Sequence, residues 1–430
     1  MKRTLFLIVS VAMLAVSGME IKAQDWPQYL GPNRNHTSPQ KGLLRSWPES
    51  GPEVLWSTDV IKGFGGPVVK AGKVYLLDRN DETGDIMRCF DLQTGKELWK
   101  YAYDSPGEVQ YPGSRSVPIV DDRHVYSVGP NGDLYCIDLQ THQPVWNKNI
   151  WTDFGGEKIP IWAISQCPVI YEDMLIISSQ APKAGVVAYN KNTGEIIWQT
   201  PNLGNETYAS PVVLNIHGQY QIVMVNSSTN TFMYKDIPVT KGKVVGLEPR
   251  TGKVLWQYSD WECAISIPNP ISVGDNKILI VGGYDRGATM IQVNKAADGT
   301  FSTTELFTNL DFGDQTKPPL FLDGHFYALY RTNQKREGMM CMDMNGKVLW
   351  KTGRNPDFDR GSMILADGLL LAFDGITTLY LLEPNPTAFK AISKVKMFDA
   401  AATNWSPMAL ADGKLLLRDQ NKMICLKVVQ

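Results

Sequence analysis

Asp91-Leu92-Gln93-Thr94-Gly95-Lys96-Glu97-Leu98-Trp99 is the stretch on which the fold turns. Its closing phrase, GKELW, returns as GEIIW at Gly194–Trp198 and as GKVLW at both Gly252–Trp256 and Gly346–Trp350. Degenerate copies, PEVLW and HQPVW, end at Trp56 and Trp146. The tryptophans 56, 99, 146, 198 and 256 step by 43 to 58 residues, and Trp350 follows Trp256 by two steps of 47. A missing middle copy is expected to end at Phe307, and a further weak copy, KMF, at Phe398. Similarity at a period of roughly 40–50 residues is the signature of a repeat architecture.

Working outward from the tryptophan, each unit opens on a proline and apolar residues, as in Pro67-Val68-Val69, Pro118-Ile119-Val120, Pro168-Val169-Ile170 and Pro211-Val212-Val213. A polar turn, a β-rich run such as Lys73-Val74-Tyr75-Leu76-Leu77, a loop, a second run such as Cys89-Phe90-Asp91-Leu92, and the tryptophan strand follow. That makes four short strands with turn signals between them. The Thr-Gly pairs at 94–95, 193–194 and 251–252 supply the positive φ of a tight hairpin. So small a sheet cannot bury both faces alone; neighbouring sheets must cover it, as in a radial propeller. Units open near Pro67, Pro118, Pro168, Pro211, Pro270, Pro318 or Pro319, Ser362 and Pro407. The last has three strands and no tryptophan, whereas Val54-Leu55-Trp56-Ser57 is a closing strand with no unit before it. The expectation is an all-β, eight-bladed β-propeller of four-stranded antiparallel blades. Its N-terminal strand completes the last blade and covers an exposed sheet edge.

Composition agrees. The 430 residues include 37 Gly, 26 Pro and 12 Trp but only 5 His, and 42 basic residues face 44 acidic ones for a net charge of −2. A strongly basic nucleic-acid binder and an acidic disordered tail are excluded. Lys2 and Arg3 precede an apolar run from Leu5 to Val16, which is shorter than the ~20 residues that span a bilayer, and a small residue follows at Ala23. Residues 1–23 read as a cleaved secretory signal, 24–50 as a lead segment and 51–430 as the propeller. A periplasmic or secreted monomer is expected, without a lipid-anchor cysteine and with no transmembrane segment after signal removal.

The repeated A/C-x-D-x-x-T-G-K-x-x-W phrase resembles the tryptophan-docking repeat of the pyrroloquinoline quinone (PQQ)-type eight-bladed propellers. That family includes quinoprotein alcohol dehydrogenases and the outer-membrane assembly factor BamB. The resemblance covers roughly residues 51–430, and the lead Asp25-Trp26-Pro27-Gln28-Tyr29 also resembles that of the dehydrogenases. It assigns Trp56, Trp99, Trp146, Trp198, Trp256 and Trp350 to docking between blades. One fold hosts unrelated activities, so function must be argued from a site. The dehydrogenase resemblance implies a quinone stacked between a tryptophan and a disulfide of adjacent cysteines, polarised by calcium. This chain has no Cys-Cys pair, and its blade-three loop, Ser179-Gln180-Ala181-Pro182-Lys183, has no carboxylate. Arg115 alone matches the position of an arginine that holds a quinone carboxylate.

Other chemistry is sparse. Cys89, Cys136, Cys341 and Cys425 share one phase of the repeat, occupied elsewhere by Ala188 and Gly246, so they are packing residues; Cys167 and Cys263 are expected as free thiols. No two histidines share metal-ligand spacing, and no C-x-x-C-H occurs. What remains is the set of long outer-to-inner connections, rich in aromatics with polar residues between them. From these come the candidate ligand-binding residues Arg115, Trp162, Gln166, Tyr208, Trp261, Asn269, Asp314, Gln315 and Trp405, with Trp162, Trp261 and Trp405 as stacking platforms. The expected role is a ligand-binding or protein-interaction scaffold taking a small molecule, a carbohydrate or an exported peptide at the axial face. No cofactor or metal is expected. The alternatives are a PQQ- and calcium-dependent oxidoreductase and a BamB-like assembly factor.

Overall fold

The computed structural model describes residues 25–229, 240–284, 286–332, 335–399 and 403–430. The expected secretory signal, residues 1–23, lies outside them. Strands pair into eight sheets, each read from its inner strand outward in chain order. Inner strands begin at Val68, Ile119, Val169, Val212, Ile271, Leu320, Ser362 and Ala409, within two residues of the openings read from sequence. The ring is therefore the expected eight-bladed all-β propeller. It closes as expected: Val54–Asp59 pairs antiparallel with Lys422–Lys427, Trp56 opposite Cys425 and Asp59 opposite Lys422. Among the described residues no helix is long and apolar enough to cross a membrane.

The docking girdle has a simple physical basis. In each repeat the tryptophan lies directly across the ladder from the small residue of the third strand: Cys89 opposite Trp99, Cys136 opposite Trp146, Ala188 opposite Trp198, Gly246 opposite Trp256 and Cys341 opposite Trp350. A Cβ on Gly246 would stand 2.2 Å from the Trp256 ring, which is why bulk is excluded there. The indoles of Trp56, Trp146 and Trp198 then reach the Thr-Gly or equivalent hairpin of the next blade. Their Nε1 groups donate to the carbonyls of Leu92, Lys191 and Pro249 at 2.9–3.0 Å, and their rings lie flat on Gly95, Gly194 and Gly252. Each of these glycines has φ near +70°, so both the turn and the ring contact require it. Trp350 donates to the Asn385 carbonyl of blade seven. Where blade two has His142 in place of glycine, the imidazole stacks on Trp99 at 4.8 Å. Trp256 departs from the pattern and donates to Gln221 Oε1 of its own blade.

Two readings need correction. Phe307 holds the tryptophan position of blade five and packs on Gly346, but Phe398 does not hold that of blade seven. The register puts Ser393 opposite Leu381 at that place, while Phe398 follows the strand and packs on Phe373. The lead segment serves this seam instead: buried Trp47 donates its backbone N–H to Ser393 Oγ. Blade seven also has five strands rather than four, because Thr37–Ser38 adds in parallel to Ser362–Ala366.

The lead is thus part of the ring. Trp26 exchanges two backbone hydrogen bonds with Val69 of blade one, and the Pro27 carbonyl accepts from Val120 of blade two. Arg34 donates to the Pro168 carbonyl before blade three, and the His36 ring meets the carbonyls of Pro318 and Met363, before blade six and in blade seven. Leu44 bonds Val428 of blade eight. The segment runs across one axial face, and between its residues 28–35 and the inner strands of blades three to six it leaves a cavity of about 370 Å³.

Candidate functional site

The other axial face is open. All eight outer-to-inner connections converge there on a cavity of about 250 Å³. Phe64 comes from the connection entering blade one, Tyr111 and Arg115 from that entering blade two, and Trp162 and Tyr208 from the next two. Ile267, then Gln315 with Lys317, Arg360, and finally Trp405 complete the circuit. Tyr284 reaches in from the central hairpin of blade five, which opens on the same face, and Tyr29 of the lead forms part of the floor.

Five of the nine candidate residues line this mouth: Arg115, Trp162, Tyr208, Gln315 and Trp405. The other four lie outside it. Gln166 Nε2 donates to the Thr207 carbonyl at 2.6 Å, tying two connections together. Asn269 is buried and donates to the Pro270 carbonyl. Asp314 accepts from the backbone of Thr316, Lys317 and Leu329, which shapes the turn that presents Gln315 and Lys317. Trp261 is 2% exposed, with Nε1 donating to Ser266 Oγ, in the core of blades three to five. It faces protein, not the mouth, so the platform role read for it is corrected to packing. Its place at the end of the blade-four outer strand gave the same sequence signal as the mouth residues.

The lining is aromatic and cationic. Tyr111 bridges Trp162 and Trp405 at 5.8 and 5.9 Å between ring centroids, and Phe64 packs on Trp405 at 5.5 Å. With Tyr29, Tyr208 and Tyr284, seven aromatic rings face the cavity. Arg360 lies over the Trp405 ring at 4.6 Å, a cation–π contact held in place because Nε donates to Gln315 Oε1 and Nη1 to Asp359 Oδ1. Asp359 also accepts from Trp405 Nε1 at 3.2 Å. The Lys317 ammonium donates to the carbonyls of Trp405 and Arg360 and to Thr316 Oγ1, so it joins three connections. Burial lowers its pKa to about 8, with Arg360 adding to the shift and Asp314 and Asp359 opposing it; it remains a cation at neutral pH. Arg115 donates to the carbonyls of Gln110, Tyr111 and Gly113, and among the described residues no carboxylate pairs with it. Burial brings its pKa down to about 10.

Three cations and no carboxylate line the mouth. The calcium ion that the dehydrogenase resemblance implies does not fit this donor set: hard oxygen ligands with negative charge are missing, and three positive charges would repel the ion. Ser179 and Gln180 of the blade-three loop are buried behind the mouth, bonded to the Ile150 carbonyl and to Asn226. All six cysteines are free and buried, so no disulfide supplies a stacking face. The ring and carboxylates of a quinone such as PQQ do suit the rings and cations present. The sequence reading does not select Tyr111, Lys317 or Arg360 on this rim, names Tyr29 only as part of the lead, and does not mention Phe64 or Tyr284. Phe64 follows the closing strand and was recoverable by the same rule as the others, whereas Tyr284 sits in a hairpin and Tyr29 outside the repeat.

Comparison with known proteins agrees with the architecture. Residues 82–352 match the family model described as outer membrane protein assembly factor BamB. The quinoprotein alcohol dehydrogenase PedH of Pseudomonas putida is 29% identical over 339 residues, covering 68% of this chain and 49% of that protein. BamB of Yersinia pestis is 21% identical over 192 residues, covering 42% and 43%. The chain spans about half or less of the length of these curated relatives. Among solved structures, a europium-containing methanol dehydrogenase superposes with a TM-score of 0.65 at 12% identity, covering 94% of this chain and 89% of that one. BamB of Moraxella catarrhalis gives 0.59 at 13%, covering 87% and 99%. On its eight-fold repeat, its ring closure and the matched family model, the chain belongs to the PQQ-like β-propeller family.

Proposed function

We propose that this propeller binds a planar, anionic small molecule at its axial mouth. The observation that carries the reading is the lining itself: seven aromatic rings with Arg115, Lys317 and Arg360 and no acid. Aromatic faces supply contact area at low entropic cost, and guanidinium groups suit carboxylates. Neutral sugars use the former but not the latter. Gln315 and Asp359 hold Arg360 flat on Trp405, Lys317 pins the three connections that carry them, and carbonyls hold Arg115. These residues bind and orient; nothing in the lining supports a calcium-assisted oxidation. The basic start and apolar run of residues 2–16 support a site of action outside the cytoplasm.

Calorimetry tests this with anthracene-2-carboxylate against its uncharged amide, PQQ with and without calcium, a neutral oligosaccharide and an unfolded outer-membrane peptide. Expected are binding of the carboxylates, no calcium requirement, and an amide weaker by roughly tenfold, the size of one charge-assisted hydrogen bond. Arg115→Gln should erase that preference. Binding of only the oligosaccharide would favour a carbohydrate scaffold, and binding of only the peptide a BamB-like role; either result overturns the reading.

A further inference from the structure

The cavity under the lead segment is unlike the mouth. The lead bonds the inner strand of blade one through Trp26 and that of blade two through Pro27, and it adds Thr37–Ser38 to that of blade seven. Over blades three to six it makes no backbone-to-backbone hydrogen bond among the described residues, and the space of about 370 Å³ lies there. The walls are aliphatic: Ile170, Val213, Leu214 and Ile271 line them, with Phe321 as the one aromatic residue, against seven rings at the mouth. Most of the polar side chains come from the lead, and Arg34 is the one charged residue in the lining.

Arg34 is 7% exposed and sits at φ +52°, between Leu30 and His36 at +62° each. Left-handed backbone at non-glycine residues persists where the surroundings hold it. The guanidinium donates to the Pro168 carbonyl at 2.8 Å, and to the Cys167 carbonyl and Gln28 Oε1 at 3.4 Å. Its Nε has no hydrogen-bond partner, and no carboxylate pairs with the group, among the described residues. A buried cation held only by neutral oxygens lacks a countercharge, and an anion would supply one.

We infer that this cavity is a second binding site, for an aliphatic carboxylate, with the carboxylate at the lead beside Arg34, Asn33 and Asn35 and the chain on Ile170, Val213, Leu214 and Ile271. Asn35 Oδ1 already accepts from the Thr37 backbone and hydroxyl, which leaves Nδ2 as its donor. Aliphatic walls hold a flexible chain by buried area, whereas they give a sugar or a flat ring little face to stack on. The site does not depend on the reading of the mouth, because the two cavities share no lining residue.

The test titrates hexanoate, hexan-1-ol and hexylamine into the full chain by calorimetry. Hexanoate should bind in the millimolar range, about tenfold tighter than the alcohol, the size of one charge-assisted contact, and the amine should not bind. Arg34→Gln should remove that preference. Val213→Trp, which fills the cavity from the wall, should abolish hexanoate binding while leaving anthracene-2-carboxylate within about twofold. Methyl resonances of the wild type decide the matter even if neither variant folds: hexanoate should shift Val213, Leu214 and Ile271 but not Ile267, which lines the mouth. Equal binding of acid and alcohol, a preference that survives Arg34→Gln, shifts confined to Ile267, or no shift at about 10 mM hexanoate each overturns the assignment. Failure of anthracene-2-carboxylate to bind overturns the reading of the mouth alone.

Discussion

At the periphery of the ring, Trp198 is buried against Gly252 of the next blade, and its Nε1 donates to the Pro249 carbonyl. At the axis, Trp162 stands beside Tyr111, half-buried, with an Nε1 that has no hydrogen-bond partner among the described residues. The two residues are of one type and lie on neighbouring parts of the chain. What separates them is repetition. Trp56, Trp146 and Trp198 each meet the same backbone in the next blade, a carbonyl and a glycine turn, so one solution recurs around the girdle, with Trp99 and Trp256 as variants of it. An axial residue meets seven other connections of different lengths, so no two positions share an environment. Regular contacts hold the ring together; irregular ones are free to recognise something.

The largest effect should come from breaking the ring where repetition ends. Removing residues 51–59 takes away the outer strand of blade eight and the docking residue Trp56 together. The expected result is an insoluble protein, or one with no cooperative thermal transition, because a long sheet edge is left exposed. A soluble product with an unchanged melting curve would show that ring closure does not depend on this strand.

The tryptophan contrast comes next. Trp198→Ala should cost ~3–5 kcal/mol, as for other large buried aromatics, without changing ligand preference. Trp162→Ala should cost ~1 kcal/mol or less, since one side of its ring faces a cavity, but should weaken anthracene-2-carboxylate binding severalfold. Chemical denaturation and calorimetry on the two variants check both halves; equal stability losses would erase the distinction between girdle and mouth.

The plug gives a pH signature. His36 is fully buried between two backbone carbonyls, and burial, with Lys317 nearby, lowers its pKa from 6.5 to about 4. The folded state therefore favours the neutral ring. Its contribution is present in full above pH 6.5 and is lost as pH falls through 4, amounting to ~3 kcal/mol. Asp85 and Asp314, raised by burial to about 7 and 6, work in the opposite sense: their contribution is present at low pH and is lost as pH rises above 3.8. Stability of His36→Gln against wild type between pH 7 and 4 isolates the histidine, and the variant should lose less on acidification. Nuclear magnetic resonance should show the His36 ring still neutral at pH 5.

The smallest expected effect is that of Ser393→Ala, at the seam where blade seven has no docking ring. Ser393→Ala removes the acceptor for the Trp47 backbone N–H and should cost about 1 kcal/mol, one hydrogen bond. Phe398→Ala, which would have been a girdle variant had the weak repeat copy been in register, should behave as a core deletion of Phe373 packing instead. Thermal melting of both separates the two accounts.

Much of this was legible before any coordinates. The tryptophan spacing, the Thr-Gly turns and the Cys/Ala/Gly phase specify the blades, because each blade is built from contacts only a few residues apart and repeats them. The unpaired Val54–Ser57 strand likewise announced the closure, since a sheet edge needs a partner. Blade seven was misread because Ser393 carries no aromatic and Phe398 happens to lie five residues on. At the axis, chain order could say which connections meet but not which side chains face the opening: Trp261 and Trp405 both occupy outer-to-inner links, yet the first turns into the core and the second stacks under Arg360. Tyr29 lies outside the repeat altogether. Its place beneath the mouth follows from a segment threading the channel through contacts with six blades, and such long-range packing leaves no period in the sequence to read.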